Sequence, residues 1–137
     1  MYLQQSDLER GVRGELLAVV TRNADNVRQA IAEAQAEVES YLTARYDIRA
    51  EYAKTGDSRL PMVVKLVRDI ALYNCFNIAN PVSMPENRVT AYNNAVKFLK
   101  EVQAERASID GLTRLTGTTG TSSYVSFGGN RKRKNQF

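Results

Sequence analysis

The sequence predicts an all-α fold, a small bundle of about four helices with one long central helix, followed by an extended C-terminal arm. Three observations predict it. Apolar residues recur at steps of three and four through three long stretches, the spacing of one face of a helix. Each stretch follows a break that holds residues able to cap or start a helix. From Ser108 the composition turns to Gly, Ser and Thr, which cannot bury enough apolar surface to fold alone. The expected division is a helical domain over 1–109 and an arm over 110–137.

The elements follow in order. Tyr2 and Leu3 offer an apolar foothold. Ser6 is a good N-cap, and Glu9 completes a capping-box pattern for a brief helix that Gly11 and Gly14 interrupt. Residues 15–21, ELLAVVT, are apolar enough to be buried, and their Leu and Ala favour a helix. Asn23-Ala24-Asp25-Asn26 is rich in capping residues, with Asp25 as the expected N-cap of the long helix. That helix carries Val27, Ile31, Ala34, Val38, Tyr41/Leu42 and Tyr46 on one face and is expected to end near Tyr46 or Asp47. At about 20 residues it spans roughly 30 Å, the width of a small domain. Residues 48–59 read as a polar connection that Ile48 and Tyr52 pin to the body.

Pro61 fits the first turn of the next helix, where its missing N–H costs nothing. Val63, Leu66, Val67, Ile70, Tyr73 and Phe76 make a wide apolar face, which Val64, Ala71, Leu72 and Cys75 extend. Such breadth predicts burial on more than one side, within the subunit or between subunits. Ser83 is the expected cap of the last helix, with Pro85 in its first turn and Glu86 at the capping-box position. Val89, Tyr92, Val96, Leu99 and Val102 then follow at helical spacing to about Ala107.

Composition narrows the function. The 137 residues are 43% hydrophobic and include no histidine and one cysteine, Cys75. The missing histidine removes the commonest general base and metal ligand, and a lone cysteine excludes an internal disulfide or thiolate cluster. No run approaches the ~18 apolar residues of a membrane span. The N-terminus lacks the basic and apolar regions of a secretory signal, so a cytoplasmic start is expected. Up to Thr113, fourteen of the nineteen Lys and Arg residues face all fifteen acids, a net of −1. Residues 114–137 hold the other five cations and no acid, so the sequence pI near 9.3 belongs to the arm.

Few residues carry candidate chemistry. Asp69 sits within an apolar helix, where it is either a buried acid of raised pKa or a structural acid paired with Arg68 or Arg45. No second acid or histidine stands by to share acid–base work, which favours the structural role. Glu33 and Glu37 share a helix face, with Glu39 nearby; without further ligands they read as solvated, not as a metal site. Cys75 reads as a small core hydrophobe. The glycines of the arm form no phosphate loop. The basic run Arg131, Lys132, Arg133 and Lys134 can grip nucleic-acid phosphates, bind an acidic protein groove or keep the arm soluble. Residues 123–127, SYVSF, with Tyr124, Val125 and Phe127, have the β-propensity to add to a partner's sheet edge; the alternative is a linker with two aromatics.

The order of several phrases resembles a family of tailed-phage proteins, the head–tail connector (adaptor, or head-completion) proteins of the Mu-like type. The phrases are Tyr2-Leu3 with Asp7-Leu8, AEVESYLTARYDI at 36–48, RDIALYNCF at 68–76 after a Pro, and RVTAYNNAVKFLKEVQAERASI at 88–109. The family's recurrent residues fall here on Tyr41, Leu42, Arg45 and Tyr46, on Pro61, Asp69, Ile70, Ala71 and Tyr73, and on Tyr92, Ala95, Leu99 and Lys100. Two departures stand out. Where the family often has Pro soon after Arg-Tyr, this chain has Asp47-Ile48 and a longer connection to Pro61. Where it usually has Gly near the end of the last helix, this chain has Glu105-Arg106.

The resemblance implies a non-enzymatic subunit with no catalytic residue, cofactor or metal. It implies a homo-oligomeric ring of twelve copies beneath the portal that extends the DNA channel and gives the tail a docking surface. The implied partners are the portal protein, a tail-completion or tail-terminator protein, and DNA passing without sequence specificity, with no membrane. The implied place is the head–tail interface of the virion, after assembly in the host cytoplasm. The arm is expected to meet the portal through Tyr124, Val125, Phe127 and the basic run 131–134. The rival class is a DNA-binding helical packaging or regulatory protein that uses the basic tail as its grip.

Overall fold

A computed structural model describes residues 1–12, 18, 22–79 and 84–115. They form α1 (Gln5–Leu8), α2 (Ala24–Leu42), α3 (Ile48–Tyr52), a 3-10 turn (Gly56–Ser58), α4 (Pro61–Ala79) and α5 (Glu86–Gln103). The fold is all-α, and no strand occurs among the described residues. One isolated antiparallel bridge joins Tyr46 to Arg114. The segment 15–21 (apart from Ala18), the Ser83 position and residues 116–137 lie outside the described residues. So do Tyr124, Val125, Phe127 and Arg131 to Lys134.

α2 and α4 form the centre. α4 packs on α2, α5 and α1, while α2 also meets α5 and α3. Along α2, Val27, Ala30, Ile31, Ala34, Val38 and Leu42 are buried, the stripe the periodicity predicts. On α4, Val63, Leu66, Val67, Ile70, Ala71, Leu72, Cys75 and Phe76 are buried, so its wide face is consumed inside the chain. That breadth is therefore no sign of a face left for neighbouring subunits. The large hydrophobic side chains exposed among the described residues are Met1, Ile78 and Leu115. Each fully buried Leu or Ile, such as Leu42, Leu66, Ile70 and Leu99, contributes about 1.5–3 kcal/mol relative to exposure.

Several helix ends differ from the sequence expectation, each for a local reason. α1 starts after Gln4, not Ser6, because the Gln4 N–H donates to Asp7 Oδ2 at 2.8 Å and Asp7 is itself held by Arg59. The cap of α2 is Asn23, not Asp25: Asn23 Oδ1 accepts from the backbone N–H groups of Asp25 (2.9 Å) and Asn26 (3.2 Å). Asp25 instead lies in the first turn, where its charge complements the helix dipole. α2 stops at Leu42, four residues short of Tyr46, whose backbone pairs with Arg114. The polar connection contains α3, capped by Asp47 Oδ1 accepting from the Ala50 N–H. α5 starts at Glu86 with Pro85 at the N-cap, and it ends at Gln103, earlier than Ala107.

Candidate functional site

Most of the residues singled out by the resemblance fall into two places, a C-terminal corner and a tyrosine junction. At the corner, α5 ends with Ala104 as C-cap and Glu105 at φ 65°, the left-handed conformation that favours glycine. The Glu105 N–H donates to Val102 O (3.0 Å) and the Arg106 N–H to Glu101 O (2.9 Å). These two bonds make a Schellman motif, whose left-handed position is usually Gly. Arg106 also pairs bidentately with Glu101 at 2.8 and 2.9 Å on the surface.

The chain then folds back under α2. Ile109 and Leu112 are buried, and between them Gly111 takes φ 86°, with Leu60 Cδ1 only 3.0 Å from where a Cβ would stand. Residues 113–115 run antiparallel to 45–47. The Asp47 N–H donates to Thr113 O at 2.8 Å, and the Leu115 N–H donates to Arg45 O at 3.0 Å. Side chains of the Arg-Tyr phrase complete the corner. Tyr46 is 1% exposed and its hydroxyl accepts from the Ile109 N–H at 3.2 Å. Arg45 Nη1 donates to the carbonyl of Val102, which also accepts from the Glu105 N–H, and to that of Ala107 beyond the end of α5. The guanidinium carbons of Arg45 and Arg114 stand 5.3 and 5.8 Å from the Tyr46 ring centroid, within cation–π range.

At the junction, Tyr73 of α4 stacks on Tyr92 of α5, centroids 4.1 Å apart. The Tyr92 hydroxyl donates to Glu37 Oε1 at 3.2 Å. Burial first, then the neighbouring Glu37 carboxylate, pushes the Tyr92 phenol up to about 12, so it stays a neutral donor. Tyr41, Tyr73 and Tyr92 are each half-buried. Leu42 and Leu99 are fully buried, and Pro61 is exposed at the start of α4.

Asp69 is 6% exposed, as a structural acid. Its partners are Lys65 Nζ at 2.9 Å and Arg88 Nη1 at 4.0 Å, rather than Arg68 or Arg45. Cys75 is buried and burial raises its thiol to about 11, the inert thiol of a core residue. Among the described residues, no three His, Cys, Asp or Glu side chains gather as a metal ion would require.

A third cluster, at the N-terminal corner, joins Tyr2 and Asp7 of the first phrase to Glu51 and Arg59, which the sequence did not single out. Arg59 grips Asp7 bidentately (2.7 and 3.0 Å) and also donates to Tyr2 O and Gly56 O. Glu51, 2% exposed, accepts from the Tyr2 hydroxyl (2.8 Å) and the Leu60 N–H, and Lys54 Nζ lies 2.7 Å away. The Arg59 hydrogen bonds hold the Asp7 carboxyl below its ordinary value. Burial alone would raise Glu51, but the bonds from Leu60, Lys54 and Tyr2 outweigh it and lower it. The Tyr2–Glu51 and Asp7–Arg59 pairs span 49 and 52 residues, so only the fold brings them together. Buried charges neutralised in this way stiffen a body without leaving a reactive group.

A protein-family model described as Bacteriophage Mu, Gp36 matches residues 2–125. No curated protein and no solved structure matches the chain.

Proposed function

The chain belongs to the bacteriophage Mu Gp36 family, a membership that points to a structural or assembly role in the phage, and from that premise we propose that it is a head–tail connector subunit. In this reading, copies form a ring beneath the portal, extend the channel through which DNA leaves, and present the surface on which the tail docks. The protein resides at the head–tail interface and acts by holding partners, with no reaction to perform.

The observation that supports the reading best is the C-terminal corner. The Arg-Tyr phrase of the family builds a fixed base for the last residues of the chain. Beyond Leu115 come 22 residues with four cations and no acid, joined to a body whose charges nearly cancel. A neutral brick with a cationic, aromatic-bearing extension suits attachment to a larger acidic assembly. Among the described residues, no helix is long and apolar enough to cross a membrane.

The test is a truncation placed by the structure. Ending the chain after Leu115 keeps buried Leu112 and both backbone bonds to 45–47, so the body should melt as the full chain does. It should no longer co-sediment with the portal protein of the same phage. Undiminished portal binding by the truncated chain would remove the arm's role. A monomer that ignores the portal yet binds duplex DNA at physiological salt would fit the packaging or regulatory alternative instead.

A further inference from the structure

The charges left without an ion-pair partner among the described residues mark two complementary places on the same subunit. The first is a cavity of about 380 Å³ between α1, the Gly56–Ser58 turn and the first half of α4. Arg59 lines it but is fully occupied by Asp7 and two carbonyls, and Lys65 is shared with Asp69. Arg10 and Arg68 remain. Neither makes an ion pair among the described residues, and Arg68 Nε is buried with no hydrogen-bond partner among them. The stem of Arg68 is held against Gly11, where an added Cβ would come within 3.3 Å of Arg68 Cδ and 2.8 Å of Leu72 Cδ1.

The second place is on α2. Asp25 pairs with Arg28 and Glu39 with Arg49, but Glu33 and Glu37 meet no cation among the described residues. Their partners are neutral: Gln29 Nε2 donates to Glu33 at 2.8 Å and the Tyr92 hydroxyl to Glu37. The two carboxylates stand one helical turn apart, about 6 Å between Cβ atoms. Half-buried Tyr41 and Tyr92 flank them, residues of the kind enriched where proteins meet.

We infer that the Arg10–Arg68 cavity is the socket for the Glu33–Glu37 stripe of a second copy of this chain. The inference rests on the ring reading above and assigns its repeating contact. A socket on one part of the surface and a plug on another is what a heterologous ring requires, since each subunit offers two different faces. Carboxylates suit the socket better than a DNA backbone does. Two side-chain carboxylates match the two cations of the cavity, which has room for side chains, not for a duplex.

Cross-linking between single-cysteine partners tests it on the full chain. Exposed Glu33→Cys and Arg10→Cys proteins are mixed in equal amounts at low salt and oxidised; buried Cys75 does not compete. The mixed disulfide should clearly exceed the half share that random pairing gives, and the excess should fade as salt screens the contact. A statistical product mixture overturns the inference. Protection of R10C but not E33C from maleimide by duplex DNA also overturns it, by assigning the cavity to phosphate. Statistical cross-linking by a chain that still forms rings on the portal removes this contact and leaves the connector reading standing. Failure of the wild-type chain to form rings on the portal counts against the connector reading itself.

Discussion

The two corners of this molecule fasten the ends of the chain by different physics. At the N-terminal corner the ties are buried charges: Asp7 on Arg59, and Glu51 under Tyr2, Leu60 and Lys54. At the C-terminal corner they are backbone bonds, a Tyr46 hydroxyl and one Arg45 guanidinium aimed at uncharged carbonyls. A buried ion pair is costly to break because each half left alone is an unpaired charge. A two-bond strand ending at exposed Leu115 can be lifted with little penalty. The first corner is costly to open, whereas the second can open locally without disturbing the buried core.

The largest expected effect breaks the charged corner. Arg59→Ala strands Asp7, whose side chain is 7% exposed, and should cost about 3–5 kcal/mol in denaturant melts. A loss below about 1 kcal/mol would show that the corner does not depend on its charges. The same corner should respond to acid. Asp7 and Glu51 both lie below their ordinary values of 3.8 and 4.5 when folded. Their contribution is therefore present above the ordinary carboxylate range and is lost as pH falls through it and lower. Thermal midpoints should hold from neutral pH to about 5 and fall below about 4, and Asp7→Asn should flatten that fall.

At the other corner, Arg45→Ala leaves the carbonyl of Ala107 without its donor, takes one of two donors from Val102 O and should cost about 1–2 kcal/mol. That loss should be the same at pH 5 and pH 7, which separates the two corners directly. Glu105→Gly relieves the left-handed backbone at the end of α5 and should stabilise the protein by about 1 kcal/mol. The smallest effect sharpens the comparison most. Leu115→Pro removes the bond to Arg45 O and should shift global stability by about 0.5 kcal/mol or less. It should nonetheless speed hydrogen exchange at the Asp47 N–H, which is bonded to Thr113. Unchanged exchange there would mean that the two bonds do not act as one latch.

Local signals carried most of the fold. The apolar stripe of α2 and the Pro-led run of α4 depend on periodicity and starting chemistry alone, and both were legible. Helix ends were less so, because Asn23 and Asp25 are equally able caps and only the backbone decides between them. Tyr46 keeps the helical period by one more step, yet its backbone leaves the helix to meet Arg114, 68 residues later. The family phrases named Arg45, Tyr46, Tyr73 and Tyr92, but their spacing does not say that two build an anchor and two stack. The phrase Tyr2-Leu3 with Asp7-Leu8 held one partner of each, but the pairings Asp7–Arg59 and Tyr2–Glu51 left no trace in any local window, since a contact across some fifty residues exists only once the chain has folded.

The account stands or falls on assembly. Purified portal rings mixed with the full chain and imaged by electron microscopy should show a second ring seated on the portal, with as many copies as the portal has subunits. Portal rings that stay bare beside a monomeric chain would contradict it.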